Sequence, residues 1–142
     1  MARCVKAQLA ADKLAVREAR LRVRELDELP SQTAADAELI VSELVANALL
    51  HAHLQPGDVI DVALVTDGER LVIEVDDHGS FSGRPRGRGG MGLRVLDALC
   101  EDWSAQSGQV SASLRVGAGR ATAVPADGGG ERRSLRRWLR SG

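Results

Sequence analysis

Residues 41–52 read V-S-E-L-V-A-N-A-L-L-H-A, a mostly apolar stretch interrupted at intervals of four by Glu43, Asn47 and His51. Four residues of α-helix advance by about 400°, so these polar groups drift only about 40° per step and form one stripe. The apolar remainder is that of a helix packed on a core. An acid, an amide and an imidazole along one line of such a helix are an anomaly that the rest of the sequence has to explain.

Composition bounds the rest. The chain has 142 residues, 44% of them hydrophobic but only 2% aromatic, so one domain with a Val, Leu, Ile and Ala core is expected. No apolar run approaches the roughly 20 residues of a membrane span, and the N-terminus has no signal-peptide apolar region. A cytoplasmic protein with two unpaired core thiols, Cys4 and Cys100, is the simplest reading. The net charge of −1 is unevenly spread. From Gly117 onward six Arg oppose two acids, leaving −5 on residues 1–116. An acidic body argues against nucleic acid as the direct partner.

Two parts are therefore expected, a folded domain over 1–116 and a flexible basic tail over 117–142. The tail opens with Gly-, Ala- and Pro-rich linker sequence. It ends in a basic segment whose Leu135, Trp138 and Leu139 would share an edge if helical. A solvated terminus and a helix docking on a partner or membrane surface both fit that pattern.

Within the body, Arg3–Leu9 reads as an edge strand. Asp12 is placed to cap a helix reaching about Glu28, with Val16, Ala19, Val23 and Leu26 on its buried side. After the break at Pro30, Thr33 followed by Asp36 resembles a capping box that opens a second helix, ending near His53. Val59–Val65 and Leu71–Asp77 read as strands joined through Asp67-Gly68, a hairpin signal. Alternation puts Leu71, Ile73 and Val75 on one face and Asp77 at the end of that same face. A carboxylate there costs several kcal/mol of desolvation unless it is paired. A Gly-, Arg- and Ser-rich run follows, and Gly90-Met91-Gly92 abuts a helical pattern of Leu93, Leu96, Leu99 and Cys100, then Trp103. A glycine loop feeding a helix start favours anions, through free N–H groups and the helix dipole. Ser104–Ser107, a turn at Gly108 and Gln109–Val116 close the body as a hairpin.

This order of parts resembles the nucleotide-binding boxes of the gyrase, chaperone and histidine-kinase (GHKL) ATPase superfamily. The form E-L-V-A-N-A-L-L-H-A and the short chain look like its bacterial anti-sigma-factor serine/threonine kinase branch. The resemblance covers roughly residues 3–116. It implies an α/β two-layer sandwich, a mixed but largely antiparallel sheet covered on one face by three helices. It also implies ATP and Mg²⁺ as cofactors, a sigma factor and an anti-sigma-factor antagonist as partners, and a homodimer.

Carried over by position, Asn47 matches the Mg²⁺ ligand and Glu43 the general base for an incoming serine or threonine hydroxyl. Asp77 matches the aspartate that takes a hydrogen bond from the adenine amino group, with Gly79 beside it. Gly90, Met91, Gly92 and Leu93 match the hinge and phosphate-contacting end of a lid, and Arg88 lies within phosphate reach. His51 completes the stripe, against the lid or on phosphate. His51, His53 and His78 do not have metal-site spacing.

Two positions depart from the family pattern. Phe81 stands where a second glycine is usual, with Gly83 as a substitute, and Gly108-Gln109-Val110 lacks the threonine of a Gly-x-Thr hairpin. The implied function is an ATP-dependent kinase that phosphorylates an antagonist and sequesters a sigma factor. The alternative is an ATP-binding partner-switching module with little catalysis. A histidine-kinase catalytic domain is disfavoured, since only one helix precedes the nucleotide boxes.

Overall fold

Alternating apolar residues build one five-stranded sheet among the described residues. The computed structural model describes residues 2–51, 54–78, 91–106 and 108–117. The strands are β1 (Arg3–Ala10), β2 (Val59–Thr66), β3 (Arg70–Asp76), β4 (Asp102–Gln106) and β5 (Gln109–Arg115), in the spatial order β1-β2-β3-β5-β4. All four pairings are antiparallel, so the sheet is more uniform than the mixed one expected.

The β2–β3 hairpin forms where Asp67-Gly68 predicts it. Gly68 adopts φ 95°, and Asp67 Oδ1 accepts the N–H groups of Glu69 and Arg70 at 2.8 and 2.9 Å. The left-handed φ is why glycine stands there.

Among the described residues, three helices cover one face: α1 (Ala15–Val23), α2 (Ser31–His51) and α3 (Met91–Leu99). The α1 helix packs on β1 and β2, and α2 lies on β3 between α1 and α3. Ile60, Leu64, Leu71 and Ile73 of the sheet and Ile40, Val41 and Val45 of α2 are all fully buried. Each such side chain contributes roughly 1.5–3 kcal/mol by leaving water. The two-layer sandwich is thus the predicted one.

Several boundaries differ from the sequence reading. The α1 helix stops at Val23 because the chain tightens there: Glu25 and Leu26 donate to Arg22 and Val23, three residues back. Leu26 and Leu29 remain buried from the turns that follow. Asp12 does not cap α1 as expected: its Oδ1 accepts the Leu14 N–H at 2.8 Å within the turn before the helix, and the cap residue Leu14 makes no side-chain cap bond. The α2 helix begins at Ser31, two residues before the predicted cap, with Ala34 donating to the Pro30 carbonyl at 2.9 Å. Asp36 bonds Gln32 rather than closing a capping box.

Thr33 is instead buried, and its hydroxyl accepts the Gly117 N–H at 3.1 Å, 84 positions away. That bond ties the start of α2 to the end of β5. Trp103 belongs to β4 rather than to α3, and its indole N–H donates to Asp97 Oδ1 of α3 at 2.8 Å. Cys4 is exposed on edge strand β1, not in the core, because its parity puts it on the face away from the helices; Cys100 is half-buried.

Thr33→Val keeps the shape and removes the acceptor, leaving the Gly117 amide unsatisfied. It is expected to cost about 1 kcal/mol in urea unfolding. Faster hydrogen exchange at Gly117 would accompany that loss, and an unchanged Gly117 rate would show that the bond does not hold this end of the chain.

Candidate functional site

The site is set by which end of each element is anchored. Thr33 fixes the N-terminus of α2 where β5 ends, and β5 ends opposite the start of β3, Arg70 pairing with Arg115. A helix of 21 residues lying along this sheet therefore carries its C-terminal half toward the other end, where β3 delivers Asp77. The α3 helix is held at its own C-terminal end, where the Glu101 N–H donates to the Ser113 carbonyl at 2.8 Å. Its first turn consequently points away from that anchor. The second half of α2, the end of β3 and the start of α3 thus converge.

Glu43 and Asn47 sit on this half of α2, both half-buried and separated by one turn, a rise of about 6 Å. Among the described residues neither side chain has a hydrogen-bond or ion-pair partner. A carboxylate and an amide oxygen withdrawn from the surface, yet unused by the protein, suit a polar ligand. Their neighbours on the inner side of the helix, Leu44, Val45 and Ala48, are buried. The stripe therefore runs along the boundary between core and surface. His51 closes α2; its side chain lies outside the described residues.

Asp77 follows β3 directly and is half-buried, with its N–H bonded to the Gly108 carbonyl at 2.8 Å. That bond continues the β3–β5 ladder one step, so Asp77 keeps the parity of Ile73 and Val75, toward the helices. Its placement on the apolar face is the predicted one. Gly79, Arg88 and Gly90 lie outside the described residues. Met91, Gly92 and Leu93 form the first turn of α3, and that turn contains no acid. A first helical turn has N–H groups without intrahelical partners, and the absence of an acid leaves them open to an anion.

The sequence reading considered His78 only as a metal ligand and missed what it does. It adopts φ 68°, donates its N–H to Asp76 Oδ1 at 2.7 Å, and places Nε2 2.8 Å from Asp61 Oδ2. The chain thus turns sharply after Asp77 and pins the corner to β2 on the far face of the sheet. Histidine is among the few non-glycine residues enriched at positive φ, so its position between a strand end and a glycine was the available signal. No group of three or more candidate metal-binding side chains occurs among the described residues. No helix there is long and apolar enough to cross a membrane.

Comparison with known proteins identifies the class of this fold as a histidine kinase-like ATPase domain. The chain belongs to the histidine kinase-like ATPase domain family, which it matches over residues 9–118. It is 29% identical over 85 residues to an anti-sigma F factor from Clostridium acetobutylicum, covering 51% of this chain and 59% of that protein. The chain thus spans little more than half of that relative's length. A solved structure of the RsbU and RsbW domains of Rv1364c from Mycobacterium tuberculosis superposes with a TM-score of 0.56. The identity there is 26%, over 80% of this chain and 32% of that one.

The corner after Asp77 is open to test by substitution at His78. His78→Val puts a β-branched residue at positive φ and is expected to lower stability by roughly 1–2 kcal/mol. His78→Gly, which relieves the backbone while losing the Asp61 contact, should cost clearly less in the same thermal melts. Equal losses would mean that the Asp61 contact, not the backbone, sets the corner.

Proposed function

We propose that this protein is an ATP- and Mg²⁺-binding anti-sigma regulator that phosphorylates a serine or threonine of an antagonist protein and sequesters a sigma factor. One observation carries the reading: Glu43 and Asn47 stand unengaged, one turn apart, where the end of β3 brings Asp77 and α3 begins. The anti-sigma F factor relative and the likeness to a structure containing an RsbW domain support the partner class.

The donors present fit the cofactor. Asn47 offers a neutral oxygen, which suits Mg²⁺ because that ion keeps several waters and takes few protein ligands beside phosphate. Asp77 is the acceptor for an adenine amino group, and Gly79 would let the base approach the backbone. Gly90, Met91, Gly92 and Leu93 would hold the phosphates through backbone N–H groups, with Arg88 and His51 adding charge or hydrogen bonds there. When bound, Mg·ATP supplies the phosphoryl group. Glu43 accepts the proton of the attacking hydroxyl, and its place one turn from Asn47 on the same stripe keeps base and phosphate end together. Leu39 and Leu50, 46% and 74% exposed, flank that stripe three helical turns apart and offer an apolar footing for a protein substrate.

A specific observation favours the second reading, an ATP-binding partner-switching module with little phosphoryl transfer. Val110 occupies the position where the family pattern has threonine. It packs its methyl groups against the core cluster, and the neighbouring Gln109 turns away to donate to Glu74 on the other face. Positions 109 and 110 of the hairpin therefore bring no hydroxyl to the nucleotide.

Asn47→Ala is expected to abolish Mg²⁺-dependent ATP binding, measured by calorimetry, and retained affinity would remove Asn47 from the site. Glu43→Gln is expected to leave ATP affinity within about twofold while cutting transfer to the antagonist by at least 10²-fold. Transfer at an unchanged rate would exclude Glu43 as the base. Undetectable transfer by the unsubstituted protein, with ATP bound, would decide for the second reading.

A further inference from the structure

The sheet face turned away from the helices carries an unexplained burial pattern. Val65, Val72, Ser113 and Asp102 lie in one row across β2, β3, β5 and β4, all with the outward parity. No described helix packs on that face, and one face of such an antiparallel sheet ordinarily meets water. Yet Val72 is 1% exposed and Ser113 3%. At the end of the row, Asp102 Oδ2 is buried with no hydrogen-bond partner. Further along the same face, Asp61, Glu74 and Asp76 border a groove of about 400 Å³ whose one lining cation among the described residues is Lys6. The face is acidic and partly apolar.

The chain contains a segment of matching chemistry. Residues 132–140 read R-R-S-L-R-R-W-L-R, five arginines around Leu135, Trp138 and Leu139. The reach also agrees. Random-coil dimensions give about 20 Å on average for as many residues as separate Gly117 from Arg132. The seven residues of β5, from Arg115 beside Gly117 back to Gln109 at the groove, cover about 20 Å as well.

We propose that residues 131–140 dock on the outer face of their own sheet, with the Leu135, Trp138 and Leu139 edge on Val65 and Val72 and the arginines on the Asp61, Glu74, Asp76 and Asp102 carboxylates. The docked segment caps the open side of a two-layer fold and shields its acidic face from other cationic partners. It does not depend on the ATP reading, since the groove and the Glu43–Asn47 stripe lie on opposite sides of the sheet.

The full chain carries its own reporters. Cys4 is exposed on this outer face, whereas burial and then the charges of Asp97, Asp102 and Asp36 push the Cys100 thiol up to about 12, leaving it protonated and unreactive near neutrality. A maleimide-linked acceptor therefore labels Cys4, and Trp138 serves as donor, isolated by difference against Trp138→Phe. Energy transfer is expected that is independent of protein concentration. It should weaken at about 0.5 M salt, where screening shortens to roughly 4 Å. It should be lost when Arg132, Arg133, Arg136 and Arg137 are all replaced by Glu, and equally when Asp61 and Asp76 are both replaced by Lys.

Absence of transfer in the unsubstituted chain would overturn the proposal, as would transfer indifferent to both charge reversals. Transfer that disappears on dilution would also overturn it, by assigning the contact to a second copy. Phosphatidylserine vesicles supply an independent arm. The Asp61→Lys, Asp76→Lys chain, with its tail released, should bind them more tightly than the unsubstituted chain. Equal binding would show that the tail is already free.

Discussion

Everything in this molecule rests on α2 burying one flank against β3. Ile40, Val41, Leu44, Val45 and Ala48 lose water on that flank together with Leu71, Ile73 and Val75 of the sheet. At roughly 1.5–3 kcal/mol for each large side chain, this contact outweighs any single polar interaction in the fold. It also settles the rotation of the helix about its axis. Once the apolar flank is committed, Glu43 and Asn47 have one place to go, the boundary between core and surface. A site whose polar groups are oriented by the core beneath them pays little further entropy to be ready for a ligand.

The two faces of the sheet divide the labour. The helix face carries the candidate site at the end where Asp77 emerges, and the outer face carries an acidic groove. The corner at Asp77-His78 joins them, because one residue keeps the strand parity toward the helices while the next crosses to Asp61. Adjacent residues of a strand point to opposite faces, so a sharp turn at that point allows one dipeptide to serve both sides.

Much of this was legible in the sequence, and the reasons are physical. Period-four polarity in residues 43–51, period-two alternation in β2, β3 and β5, and the Asp67-Gly68 turn are local patterns that the folded state keeps. The misreadings were local patterns too, outcompeted from a distance. Thr33 and Asp36 look like a capping box, yet the Thr33 hydroxyl is taken by Gly117. Trp103 continues a helical spacing, yet it pairs with Ala112 across the β4–β5 ladder. Cys4 has the composition of a core residue, but strand parity on an edge turns it outward.

The sequence by itself determined the element types, the polar stripe, and the presence of a carboxylate on an apolar face, because each depends on residues a few positions apart. Tertiary structure alone decided that the stripe's half of α2, Asp77 and the start of α3 meet at one end of the sheet. That meeting depends on anchors such as Thr33 to Gly117 and Glu101 to Ser113, which join residues remote in sequence. Only packing decides which remote groups meet, because the gain from burying a shared apolar surface is not encoded at any one of the positions that share it.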